Sequence, residues 1–319
     1  RAQLAALLAA LAANGHPDAL ALLQATASRH KMRTIQKTAV GLVEQVAQWR
    51  GWSAEELADR TVPTGGLDPD GLLRLSYGER EFTGRLTPEL RIVLTDSSGK
   101  TLKTLPEARV SESSLNADAA KKQLRTARKD AKAVLTLQSA RLYEAMCGGR
   151  TWTGADWRTL LRGHPLVGLL VTRLVWLMTP AGGGEQVAFR PVEDGALLDA
   201  DDAIVELSDE AVIRLAHGTL MGSREVAAWR DHLADYQVDP LFDQLTATAP
   251  QVETGASRVD DFSGRPTTAL VLRRAATGRG YRHGQTVSGP WFVDYTKDFT
   301  SLGLTAVLGF SGADLPEGE

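Results

Sequence analysis

The side chains in this chain with the means to do chemistry are six histidines, one cysteine and several acidic and basic runs. Two histidines stand where the chain turns: His164 in Gly-His-Pro, and His217 in RLAHG. An imidazole titrates near neutrality and can serve as general acid or base. Asp199 and Asp201, in the acidic stretch DADD, are the carboxylates a distant histidine could recruit. These four are the candidate catalytic residues of a site assembled from distant positions. Each also has a plain structural reading: His164 before Pro165 opens a helix, His217 sits in a turn, and the aspartates face water in a hairpin.

Several standard chemistries find no pattern here. There is no phosphate-binding P-loop. Gly278, Gly280 and Gly284 have the wrong spacing for a dinucleotide fingerprint. The run from Gly309 to Gly312 is one residue short of a nucleophile elbow. No pair of histidines has the His-Glu-x-x-His spacing. Residues 194–206 are acidic enough for calcium but lack the glycine and ligand spacing of an EF-hand loop. The single cysteine, Cys147, excludes an internal disulfide and the multi-cysteine zinc patterns. It precedes Gly148-Gly149 at a helix carboxyl end, which does not activate a thiol. No metal and no cofactor is expected.

Phosphate recognition needs cations on one face. Lys121, Arg125, Arg128, Lys129 and Lys132 fall along one side of a helix at i+3 and i+4 spacing. A second cluster comprises Arg273, Arg274, Arg279, Arg282 and His283, with Tyr281 and Trp291 nearby. Both are candidate nucleic-acid contacts, and a solvated helix flank gives the same pattern as the first. The net charge of -3 supplies no global attraction to a polyanion.

The elements that must position these groups follow from periodicity. Residues 1–60 read as short helices: one to Asn14, one from Pro17, one over 34–49, and one capped by the box Ser53 to Glu56 with Trp52 as staple. The third buries Ile35, Ala39, Leu42, Val43, Val46 and Trp49, and Gly51 ends it. From Gly66 the period drops to two. Leu73, Leu75 and Tyr77, then Phe82, Gly84 and Leu86, then 92–94 predict a small antiparallel meander, with a hairpin at 96–100. Residues 117–147 predict one long helix. Thr153 and Asp156 signal another helix start, and His164-Pro165 opens an apolar helix to Met178. That run carries Arg173 and is too short for a membrane span. Strands are expected at 187–192, 196–198 and 204–207, a helix over 223–236, a linker over 246–258, and strands at 268–273, 289–295 and 304–310.

The composition, 43% hydrophobic and 24% charged, is that of an ordinary globular protein with material for a large core. The lone cysteine fits a reducing, cytoplasmic setting. Both ends read as boundaries within a longer protein.

The order of segments is also familiar. RLSYGEREFTGRL with SGKTLKTLP is followed by the long basic helix and RTWTGADWRTLLRGHPLVGLLVTRLVW. Then come FRPVEDGALLDADDAIVELSDEAVIRLAHG, AAWRDHLADYQVDPLFDQL and GRGYRHGQTVSGPWFVDYTKDFTSLGLTAVLGF. From about Ala54 onward this resembles the bacterial MolR-like family, a domain of unknown function at the C-terminal end of long proteins. The resemblance implies preceding helical repeats of the HEAT kind, genes beside MoxR-type AAA+ ATPases, and no catalytic residue to carry over. Some members carry a DNA-end-binding WGR module; Trp49-Arg50-Gly51-Trp52 is not one.

The reading is therefore an α+β protein in three parts. These are a helical, repeat-like piece (1–60), a central antiparallel sheet with long helices (61–247), and a β-rich C-terminal module (248–319), truncated. Its expected role is a non-enzymatic interaction or scaffold domain of a regulatory or stress-response protein. A protein partner is expected, with an AAA+ ATPase as the candidate, and no membrane. Nucleic-acid binding, and an enzyme built around His164 and His217, are the alternatives.

Overall fold

The computed structural model describes residues 2–30, 32–87, 91–246, 263–299 and 303–315. It is α+β, with helices and antiparallel sheets, and divides into two compact units. The first comprises residues 1–138, 153–172 and 208–210; the second comprises 139–152, 173–207 and 211–319.

In the first unit, α1 (Ala2–Asn14), α2 (Pro17–Arg29), α3 (Arg33–Arg50) and α4 (Ala54–Arg60) surround a core of Leu8, Leu20, Leu23, Ile35, Ala39 and Val43. The start and stop signals act as anticipated. Gly51 takes the left-handed conformation (φ 65°) and donates to the Ala47 and Gln48 carbonyls. Ser53 and Glu56 close the capping box, with Trp52 and Leu57 against the same core. Trp49, expected in the buried stripe, is instead 72% exposed. The buried stripe ends at Val46; Trp49, seven residues after Leu42, stays on that face of α3 but is not among the side chains packed on this core.

The meander follows: β1 (Leu72–Ser76), β2 (Glu81–Leu86), β3 (Ile92–Asp96) and β4 (Thr101–Leu102), paired in that order. Leu73, Leu75, Tyr77, Phe82, Leu86, Ile92 and Leu94 are buried, as alternation requires. Each such side chain contributes roughly 1.5–3 kcal/mol. The long helix α5 (Ser114–Gly148) lies beside it, with Gln123 Nε2 donating to the Arg74 carbonyl. Its buried face is alanine-rich (Ala117, Ala120, Ala127, Ala131), and Gly65 approaches it so closely that a Cβ added there would lie 3.5 Å from the Ala131 nitrogen.

The run over 165–178 is not one helix. A helical turn, α6 (Gly154–Asp156), capped by Thr153, runs into a π-helical stretch (Trp157–Arg162). Then come α7 (Val167–Val171) and, past a chain reversal, strand β6 (Trp176–Thr179). Both apolar pieces are enclosed on all sides, so neither shows a period that would separate helix from strand.

In the second unit, β5 (Thr151–Thr153), β9 (Val212–Leu215), β6, β7 (Val187–Pro191) and β8 (Leu197–Leu198) form one sheet in that order. The strand expected at 204–207 is only a bridge between Leu198 and Ile204. Helix α8 (Ser223–Asp235) covers this sheet with Val226, Trp229 and Leu233. The expected strand at 268–273 is instead helix α9 (Ala269–Gly278), capped by Thr268, whose hydroxyl accepts from Val271 N at 3.3 Å. Four consecutive apolar residues fit either state, and the i, i+4 pair Leu272 and Ala276 decides for the helix by packing on the sheet core. That sheet contains β10 (Arg282–His283), β12 (Trp291–Phe299), β11 (Thr286–Ser288) and β13 (Leu304–Asp314). The expected linker lies almost wholly outside the described residues. Among the described residues, no helix is long and apolar enough to cross a membrane.

Candidate functional site

Helix α5 presents the first candidate surface. At 100° per residue, Lys121, Lys122, Arg125, Arg128, Lys129 and Lys132 share an arc of about 120°. Lys121 is half-buried and ion-paired with Glu107 at 2.8 Å, which raises its pKa. Lys122, Arg125, Arg128, Lys129 and Lys132 are exposed. Asp118 is on the same arc one turn earlier, while Asp130 is half-buried off it. The helix thus holds five cations in fixed spacing on a rod about 52 Å long.

The C-terminal sheet and α9 build the second. Helix α9 carries Arg273 and, one turn on, Thr277, whose hydroxyl donates to the Arg273 carbonyl at 2.8 Å. Strand β10 pairs with β12 in the register Arg282 to Thr296 and His283 to Tyr295. Between them lies a cavity of about 480 Å³. Phe292 and Tyr295 floor it, ring against ring at 5.2 Å. Arg273, Arg282 and His283 line it with Tyr281, Thr277 and Asp314. Burial raises the Tyr281 pKa, so its hydroxyl stays a donor. Of the expected cluster, then, Arg273, Arg282 and His283 line this cavity, whereas Arg274 is not part of its lining and Arg279 folds back on the Ala275 carbonyl at 3.3 Å. Beside this wall, a side chain at Gly284 would have to displace the Asp294 carboxylate.

The candidate catalytic residues have local tasks. His164 Nδ1 accepts from the backbone N–H of Leu166 (3.1 Å) and Val167 (3.2 Å). Its Nε2 therefore carries the proton and donates to the Val62 carbonyl at 3.2 Å. Burial lowers its pKa. His217 Nδ1 accepts from Thr219 N at 3.3 Å and caps a short 3-10 turn, Gly218–Leu220. Asp199 Oδ1 accepts from Asp201 N and Ala203 N, each at 2.9 Å, closing the hairpin turn. Asp201 is exposed. The turn brings the two aspartates together, but no described hydrogen bond or ion pair joins either to His164 or His217. Among the described residues, no three His, Cys, Asp or Glu side chains converge as metal ligands. Cys147 is exposed, and partial desolvation of its thiol raises its pKa.

Sequence reasoning missed two polar clusters. In the first, Arg190 Nε donates to His232 Nε2 at 3.2 Å, and His232 Nδ1 faces Asp202 at 3.4 Å. Tyr236 donates to the same carboxylate at 2.9 Å and stacks on His232 at 4.6 Å. Asp202 (φ 63°) and Gln237 (φ 51°) hold left-handed backbone at its edge. Both imidazole nitrogens are engaged, and burial and then Arg190 lower the His232 pKa. The group ties α8 to the sheet rather than offering a base to a substrate. His232 and Tyr236 at i, i+4 were the legible half; Arg190 and Asp202 are distant in sequence. In the second, Lys297 Nζ reaches Glu144 at 2.8 Å and the Arg279 carbonyl at 2.6 Å. Nothing in the local sequence marks that lysine as buried.

The family model described as Domain of unknown function (DUF4132) matches residues 99–281. The chain is 34% identical over 230 residues to "Uncharacterized protein YehI" of Escherichia coli (strain K12), covering 72% of this chain and 19% of that protein. It thus spans about a fifth of the length of the curated relative it matches. No solved structure matches.

Proposed function

The chain belongs to the family described as Domain of unknown function (DUF4132), and we propose that it is a non-enzymatic interaction domain of a longer regulatory or stress-response protein. Its sequence resemblance refines this to the bacterial MolR-like kind, with HEAT-like repeats at α1–α4 and a cytoplasmic protein partner. A MoxR-type AAA+ ATPase is the first partner to test. The observation that carries the reading is the exposed basic arc of α5: five cations fixed on one long helix, suited to an acidic partner surface. The roles of His164, His217 and Asp199 in caps and turns support it, since each is occupied by backbone.

Titration calorimetry of the full chain against a purified MoxR-type ATPase tests it. The triple reversal R125E/R128E/K132E weakens binding by at least about tenfold, chiefly through the association rate. Absence of heat at about 100 μM would sink the partner.

The same arc also favours a second reading, duplex DNA held by phosphate contacts alone. There the slope of log affinity against log salt is negative, and the triple reversal makes it shallower by about 3. A slope that does not change with the reversal removes nucleic acid from consideration.

A further inference from the structure

We propose that Arg190, His232, Asp202 and Tyr236 form an acid-released clasp, which holds the turn over 199–202 against the end of α8 at neutral pH and lets it go when His232 takes up a proton. All four belong to the second unit. The His232 side chain is 1% exposed, and Arg190, on β7, is buried. Arg190 Nε donates to His232 Nε2 at 3.2 Å. A guanidinium has no lone pair and stays charged, so Nε2 is the acceptor and the ring is neutral. Its proton is on Nδ1, which faces Asp202 at 3.4 Å and donates to the Ala200 carbonyl.

A further proton has to enter at Nε2. It ends the Arg190 hydrogen bond and sets imidazolium against guanidinium in a buried site. The charged and titratable groups facing the ring are Arg190 from β7, Asp199 and Asp202 from the turn, and Tyr236 from α8 itself; Asp194 acts on the Tyr236 hydroxyl. Burial and then Arg190 outweigh the carboxylates and lower the His232 pKa. Below the ordinary imidazole value of 6.5, the released form therefore binds a proton that the clasped form does not, and acid favours release. The backbone at the clasp is strained in the direction of release: Asp202 (φ 63°) and Gln237 (φ 51°) are both left-handed, a conformation that persists only while neighbours pin it. Val226, Trp229 and Leu233 keep α8 docked, so the opening is local. The clasp is independent of the α5 surface and of the interaction reading.

The test is amide exchange of the full chain between about pH 7.5 and about pH 5, corrected for intrinsic rates. Protection over 197–205 and 232–238 falls about thirtyfold across that range, the effect of one proton gained by a group of ordinary pKa 6.5. The β6 and β9 amides keep their protection. H232Q offers Arg190 an acceptor that does not titrate, and its protection in the two segments is independent of pH. If that variant fails to fold, the NMR titration of the parent's His232 ring decides, with a midpoint below 6.5 expected. The proposal is overturned by parent protection that changes less than about threefold, by an equal loss in β6 and β9, by the same acid step in H232Q, or by a His232 midpoint at or above 6.5.

Discussion

The Glu112 carboxylate is 1% exposed and accepts from Arg80 Nε and Nη2 at 2.6 Å each, a two-pronged pairing of fork and carboxylate. Arg109 N donates to it as well, at 2.8 Å, and the Arg80 guanidinium covers the Tyr77 and Phe82 rings. The Arg80 hydrogen bonds are the main reason that the Glu112 pKa falls from 4.5 to about 2. A carboxylate depressed in the fold stabilises it fully above the unfolded value, and that contribution fades as pH falls from 4.5 toward about 2. E112Q is therefore less stable than the parent at neutral pH, and the gap narrows through that window. Urea midpoints measured at intervals down to about pH 2.5 check it; a gap constant with pH would contradict the pairing. The arginine and the glutamate are 32 positions apart. Neither is marked by any local pattern in the sequence, because a charge's partner is not a local property.

At the scale of elements, the meander was the most legible part of the chain. Alternation fixes which face each side chain takes, and a strand with one wet face cannot slip by one residue without inverting its core. Gly84 is the exception within β2. Its inward position holds no side chain because a Cβ there would lie 2.8 Å from Ile92 Cγ2 and 3.3 Å from Leu73 Cβ. Gly84→Ala accordingly destabilises by about 1–3 kcal/mol through overpacking, despite alanine's better backbone entropy. Chemical denaturation reads this directly, and a stabilised variant would mean that the sheet yields there. The apolar stretches over 165–178 and 268–273 were misread for one physical reason. Burial on all sides, or a run of only a few residues, erases the period that distinguishes 3.6 from 2.

At the scale of the molecule, Lys297 shows what long-range packing adds. It lies on β12, yet its amine is held by Glu144 of α5 and the carbonyl after α9, above the Tyr143 and Phe299 rings. Lys297→Met costs about 2 kcal/mol, the worth of charge-assisted hydrogen bonds lost. Amide exchange accelerates in β12 and at the C-terminal end of α9, with the β1–β3 amides unchanged; uniform acceleration would contradict a local clasp. The sequence by itself determined the α+β class, the helix starts at Ser53 and Thr153, the meander, and the long basic helix, because capping and periodicity act within a few residues. Only the tertiary structure decided that His164 and His217 serve as caps, that Arg273 and Arg282 share a cavity while Arg274 does not, and that Arg190, Asp202 and His232 meet. Those pairings join positions tens of residues apart, and they are set by how the elements pack rather than by any pattern along the chain.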